Sequence, residues 1–244
     1  MKSRLLVLCL GAFFSGAACA SPADYVFTPT VEYGEKEIDF KFGTARPPAE
    51  RREQAVSLGL GLGVTEYWFT EVYLIRERES GEGTTLAEWE NKFQLTETGK
   101  YPVDVGFIAE LEATLNRTET YELKLGPLFQ TEFGKVQLNG NLLLTRQFGP
   151  HDSDDPHITE FGYQWQVKYR WQPALEFGLQ GMGETGKWND WDSTDNQNHR
   201  LGPAVFGKIG LGQRQAIRYN AAMLFGVSDA APDHTFRMQV EYEF

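Results

Sequence analysis

Four histidines lie in or beside polar segments of this chain: His151, His157, His199 and His234. Asp152, Asp154, Asp155, Asp229 and Asp233 sit around them. Imidazole with carboxylate suits a divalent transition metal. No tight ligand spacing appears, however, and these segments read as solvated acidic loops. No metal and no cofactor is expected. Nucleophilic catalysis needs a base within reach of the nucleophile. Ser57 is the only serine placed firmly within a candidate strand, and no histidine falls in a strand interior. Ser153 and Ser193 have histidine and aspartate neighbours in sequence, as polar loops do by composition. A hydrolase stays an alternative reading on that basis alone. Gly59-Leu60-Gly61-Leu62-Gly63 lacks the G-x-G-x-x-G spacing of a dinucleotide loop, and no helix follows it. Its glycines instead leave room beside a strand or permit bending.

The richer constellation is a set of charges recurring at every second residue. Side chains alternate across a strand, so each such segment has one polar wall and one apolar wall. The last one shows this plainly. Phe236, Met238, Val240, Tyr242 and Phe244 share one face, and Arg237, Gln239, Glu241 and Glu243 share the other. It is about ten residues long, the length of a tilted strand crossing a bilayer.

Period-two reading predicts twelve strands: 35–42, 55–64, 67–76, 86–96, 103–113, 120–130, 135–147, 158–171, 175–184, 200–211, 216–227 and 234–244. The clearest sets Phe161, Tyr163, Trp165, Val167, Tyr169 and Trp171 against Glu160, Gln164, Gln166, Lys168 and Arg170. The third, starting Tyr67-Trp68-Phe69, is aromatic on both faces and hard to phase. Tight links (65–66, 97–102, 131–134, 172–174 and 212–214) alternate with longer polar ones (43–54, 77–85, 114–119, 148–157, 185–199 and 228–233). Aromatic residues gather near the tight links, including Tyr67-Trp68-Phe69, Tyr101, Phe129, Phe133, Trp171, Tyr219, Tyr242 and Phe244. No helix-period segment or domain boundary is evident after residue 20.

Met1-Lys2-Ser3-Arg4, the apolar run Leu5 to Phe14 and Ala18-Cys19-Ala20 have the form of a secretory signal peptide over 1–20. Its removal would take away both cysteines, Cys9 and Cys19. Without Lys2 and Arg4, 21 basic residues face 34 acidic ones, a formal charge of −13 against −11 for the whole chain. Such acidity argues against nucleic-acid binding, which needs a basic face. The mean hydropathy is negative, and no stretch after residue 20 is long enough for a spanning helix.

The leader, the alternating strands, the unequal loop rhythm and the aromatic C-terminal ending together resemble bacterial outer-membrane β-barrel proteins. The likeness is to porin-like, uncharacterised proteobacterial ones of this size. The resemblance implies an all-β, closed, antiparallel up-and-down barrel of about 12 strands over 35–244, with short turns periplasmic. Residues 21–34 would be a periplasmic tail or a lumen plug. It places the protein in the outer membrane of a Gram-negative bacterium. The implied partners are outer-membrane lipid and lipopolysaccharide, the barrel assembly machinery and periplasmic chaperones. Tyr242 and Phe244 would be the assembly signal. The charged wall would line the lumen: Glu37, Asp39, Lys41, Glu88, Glu90, Lys92, Asp104, Glu110, Glu112, Glu122, Lys124, Glu160, Lys168, Arg170, Lys208, Arg218 and Arg237. A narrow channel for small polar or cationic solutes is the first expectation. A non-conducting structural or surface-interaction barrel is the second, and a barrel enzyme acting on lipid or peptide the third. A lumen of this strand number lies between a filled and an open one.

Overall fold

The structure, a computed structural model, describes residues 21–48, 51–79, 81–115, 121–149 and 158–244. The expected leader, His151, Ser153 and His157 lie outside the described residues. The strands are β1 (Lys36–Arg46), β2 (Glu53–Thr65), β3 (Trp68–Glu79), β4 (Glu82–Gln94), β5 (Asp104–Thr114), β6 (Tyr121–Phe133), β7 (Val136–Phe148), β8 (Thr159–Gln172), β9 (Leu175–Lys187), β10 (Asp190–Trp191), β11 (Asn198–Gly212), β12 (Gln215–Gly226) and β13 (His234–Glu243). Twelve of them form a closed antiparallel barrel. β10 is a two-residue addition folded back on β9. The ring shuts where β1 pairs with β13, from Glu37↔Glu243 to Arg46↔His234.

The barrel is a protein turned inside out. Its outward residues are apolar and exposed: Leu58 is 55 % exposed, Leu60 61 % and Leu74 58 %. Its inward residues are polar and covered: Asp39 is 0 % exposed, Glu90 1 % and Asn141 1 %. An apolar belt right round a closed sheet fits hydrocarbon and not water. Closure leaves no unpaired backbone edge in the belt. Paired aromatic rings mark its short-turn margin. Trp68 stacks on Phe93 with centroids 6.5 Å apart, Trp171 meets Phe177 at 6.4 Å and Tyr242 stacks on Phe244 at 5.5 Å. Such rings suit the membrane–water boundary.

Two connections differ from the sequence reading. The long loop expected from Glu77 to Thr85 is a tight hairpin, because β3 and β4 keep pairing to Glu79↔Glu82. A backbone ladder is indifferent to the polarity of its side chains, so these strands run on above the apolar belt. On the other rim, the expected tight link at 97–102 is the longer stretch 95–103. There Asp104 accepts the Gly99 amide at 2.8 Å and Gln94 donates to the Thr96 carbonyl at 2.8 Å. Phe69 also departs from the expected boundary belt. It points inward at 2 % exposure, under the Lys92 ammonium, which lies 4.8 Å from its ring centroid.

Candidate functional site

Residues 21–35 run through the inside of the barrel. Ser21 sits toward the long-loop end, donating to Glu77 at 2.6 Å. The segment then descends: Tyr25 donates to Glu90 Oε2 at 2.7 Å, Asn141 donates to the Phe27 carbonyl at 3.2 Å, and the Val31 amide donates to Gln94 at 2.8 Å. At the short-turn end the Gly34 amide donates to the Gly63 carbonyl at 2.9 Å, and the chain turns back into β1.

The wall is shaped to receive this segment. Gly43 lies against the Pro22 carbonyl, Gly63 against the Glu32 carbonyl and Gly106 against Pro29; a Cβ at any of them would overlap the segment. Gly59 and Gly61 make room for the inward rings of Tyr73 and Phe69. The glycine run of β2 therefore serves close approach. Phe27 is anchored by a small apolar cluster of inward residues, Ile108, Leu128 and Leu143.

Lys41 is the electrostatic centre of this region. Its ammonium lies 3.9 Å from the Tyr25 ring centroid and 3.6 Å from that of Tyr73, with Asp39 Oδ2 at 3.6 Å. Two aromatic faces and a carboxylate compensate a cation that is 5 % exposed. Asp39 Oδ2 also accepts from Tyr73 at 2.7 Å and from Gln239 at 2.9 Å. Burial, with Glu90, Glu71 and Asp39 nearby, pushes the Tyr25 phenol well above its usual range. It therefore remains a neutral donor to Glu90.

The inward segment separates two cavities. The one toward the long loops, about 360 Å³, is acidic: Glu77, Glu88, Glu110, Glu112, Glu122, Glu160 and Glu184 face Lys41 and Lys124, with Arg78 at the mouth. Lys124 pairs with Glu110 at 2.7 Å. The other, about 610 Å³, is mixed in sign, lined by Glu37, Glu71, Glu90, Glu176 and Glu241 with Lys92, Lys168, Arg170, Lys208, Arg218 and Arg237. There Lys168 pairs with Glu176 at 3.2 Å, Lys208 with Glu243 at 2.7 Å, and Arg218 with Glu243. Of the charged residues expected inside, seven border the acidic cavity and eight the mixed one. Asp39 is buried against Lys41 between them, and Asp104 is spent on the Gly99 turn.

Among the described residues, Glu88, Glu90 and Glu110 have carboxylates near enough to share an ion. Lys124 and Tyr25 already engage two of the three. The two described histidines do not join this group. His199 faces outward, 2.9 Å from the Tyr163 hydroxyl, and His234 opens β13.

Charge alone does not reveal a ladder of amides on the opposite wall. Gln137 and Asn139 both donate to Gln130 Oε1, at 3.0 and 2.9 Å; Gln166 donates to Asn139 at 2.9 Å and Gln180 to Gln166 at 3.0 Å. Its signal in the sequence is Asn or Gln at alternate positions of β7 and β8. The apolar anchor for Phe27 has a fainter one: Ile108 and Leu128 interrupt the polar phase of their strands.

No family model matches the sequence, and no curated protein matches it. Solved structures do. The NanC porin superposes with a TM-score of 0.55 at 12 % identity, over 85 % of this chain and 100 % of that one. The translocator domain of the autotransporter NalP from Neisseria meningitidis gives a TM-score of 0.50 at 12 % identity, over 86 % of this chain and 87 % of that one. At such identity the likeness is one of fold, and the fold is that of the outer-membrane β-barrels of Gram-negative bacteria.

Proposed function

We propose that this chain is a narrow, plugged outer-membrane channel for small cations and small polar solutes, its passage controlled by residues 21–35. The observation that carries this reading is a pair of polar cavities, one at each end of the lumen, divided by that single segment. A barrel serving only as scaffold has no use for two solvated vestibules. The acidic one toward the long loops would concentrate cations, since a ring of carboxylates favours them. The superposition on a porin agrees with the reading but does not establish it. Phe27 in its apolar anchor favours the rival reading, a permanently closed barrel.

Conductance in planar bilayers separates the two. The intact chain should show small, infrequent openings. Deletion of residues 22–33 should enlarge the conductance several-fold and leave it cation-selective in a salt gradient. Glu110→Lys combined with Glu112→Lys should weaken that selectivity. A deletion variant that folds, judged by its heat-dependent gel mobility, yet passes no current would defeat the channel reading. Anion selectivity would defeat the charge argument.

A further inference from the structure

Three inward glutamates at the long-loop end lack a cation of their own. Glu112 of β5 and Glu122 of β6 stand directly opposite each other, and Glu77 of β3 is within electrostatic reach of both. Like charges set opposite one another on a sheet repel. Among the described residues no Lys or Arg lies within ion-pair distance of these three carboxylates. Lys124 is engaged by Glu110 at 2.7 Å, and Lys41 by Asp39 and its two rings. Gln147 donates to Glu122 at 3.2 Å, but it is neutral.

Ser21 reaches into this group, its hydroxyl donating to Glu77 Oε1 at 2.6 Å. The residue is fixed in place. Its carbonyl accepts the Asp24 amide at 3.0 Å, and Pro22 and Ala23 are buried, with the Pro22 carbonyl against Gly43. Serine carries its nitrogen and its hydroxyl on adjacent carbons, so any charge on that nitrogen is set beside Glu77. In the uncut chain the nitrogen is a neutral amide. The expected cleavage site, Ala18-Cys19-Ala20, ends immediately before Ser21. Hydrolysis of the Ala20–Ser21 bond sends the oxygen of water to a new Ala20 carboxylate and leaves a primary amine on Ser21. That amine takes up a proton at neutral pH.

We propose that the acidic cavity is a binding site for the chain's own new N-terminus. The Ser21 α-ammonium seats on Glu77, with Glu112 and Glu122 around it, and fastens residues 21–35 at their long-loop end. Cleavage of the leader thereby supplies the cation that this cavity lacks, and the segment is locked only in the processed chain. The proposal rests on cleavage after Ala20 and not on whether the lumen conducts.

The test uses the chain recovered from outer membranes in non-ionic detergent. Its intact mass identifies the first residue, and a chain beginning anywhere but Ser21 would overturn the proposal. Acetylation of the α-amine is then followed by mass spectrometry of the N-terminal peptide as pH is raised, in the folded chain and in urea. Neighbouring carboxylates favour the protonated amine. The folded amine should therefore titrate at higher pH than the unfolded one. At about pH 8, where an ordinary α-amine is about half deprotonated, it should react about tenfold more slowly. Glu77→Gln keeps an acceptor for the Ser21 hydroxyl and removes the charge; it should restore part of the rate, and Glu77→Gln with Glu112→Gln most of it. A chain refolded with one glycine ahead of Ser21 moves the ammonium by about 3.5 Å and should titrate like an ordinary terminus. Glu97→Gln, exposed on the opposite rim, should change nothing. Heat-dependent gel mobility reports the folding of each variant. Equal titration in the folded and unfolded chains would overturn the proposal, as would a shift that survives the double glutamine change. Slow reaction without a shifted midpoint would mean shielding alone, and would overturn it too.

Discussion

The Tyr25 hydroxyl donates to Glu90 Oε2 at 2.7 Å, joining the segment inside the barrel to the middle of β4 across 65 residues of sequence. The same ring forms one side of the cage around Lys41. One side chain therefore holds the segment by a hydrogen bond and by a cation–π contact at once.

Tyr25→Phe should keep the ring over Lys41 and lose only the hydroxyl. A hydrogen bond to a charged acceptor contributes about 1.5–3 kcal/mol. Urea unfolding in lipid vesicles should show a loss near the lower end of that range, and the open time in bilayer recordings should rise. If neither changes, the tether is incidental.

The inward glycines supply a second handle. Gly63→Ala places a Cβ against the Glu32 carbonyl and should dislodge the segment at its short-turn end. If the leader is removed, the chain contains no cysteine, so Val26→Cys makes a unique reporter. Val26 is 5 % exposed, and its reaction with a maleimide should be slow in the parent and several-fold faster with Gly63→Ala. Equal rates would show that the segment does not depend on this close approach.

Val167 faces outward on β8 at 37 % exposure. Val167→Arg should cost about 2–4 kcal/mol if the residue lies at the bilayer midplane, and should reduce the yield of folded barrel. Thr145→Arg enters the acidic cavity and should be tolerated better. Equal damage from the two would contradict the assignment of faces. Gln166, beside Val167, makes a poor control: it is a rung of the amide ladder, bonded to both Asn139 and Gln180.

At the chain end, the Phe244 amide donates to the Lys36 carbonyl at 2.9 Å while its ring stays 47 % exposed. Deleting Phe244 should lower the amount of folded protein recovered with the outer membrane. Ion selectivity of the molecules that do assemble should be unaltered. A normal yield would remove any role for this residue in assembly.

The barrel is legible in the sequence because its two walls meet opposite solvents from those of a water-soluble sheet, and period-two alternation records that in most of the long strands. Phase failed where both faces carry the same chemistry. Trp68 and Phe69 are adjacent aromatics, and Gly61 of β2, which leaves room for the Phe69 ring, shows which one turns inward. Ile108 and Leu128 look like lapses in a polar wall until Phe27 is seen against them. Residues 21–34 have no period, because an extended segment held by scattered side-chain bonds repeats nothing. The glycines that accommodate it are legible only once the segment is in place.

The inward segment also bears on how the wall itself can part. The barrel's first and last strands meet at the β1–β13 seam, where pairing rests on contacts about two hundred residues apart in sequence. Arg237 on β13 donates to the Asp24 carbonyl, and Gly43 on β1 lies against Pro22. The segment therefore grips both sides of the seam from within, as a clasp. Lateral opening toward the lipid would have to break this clasp as well as the strand ladder, so the segment that lies within the lumen also braces the barrel's circumference.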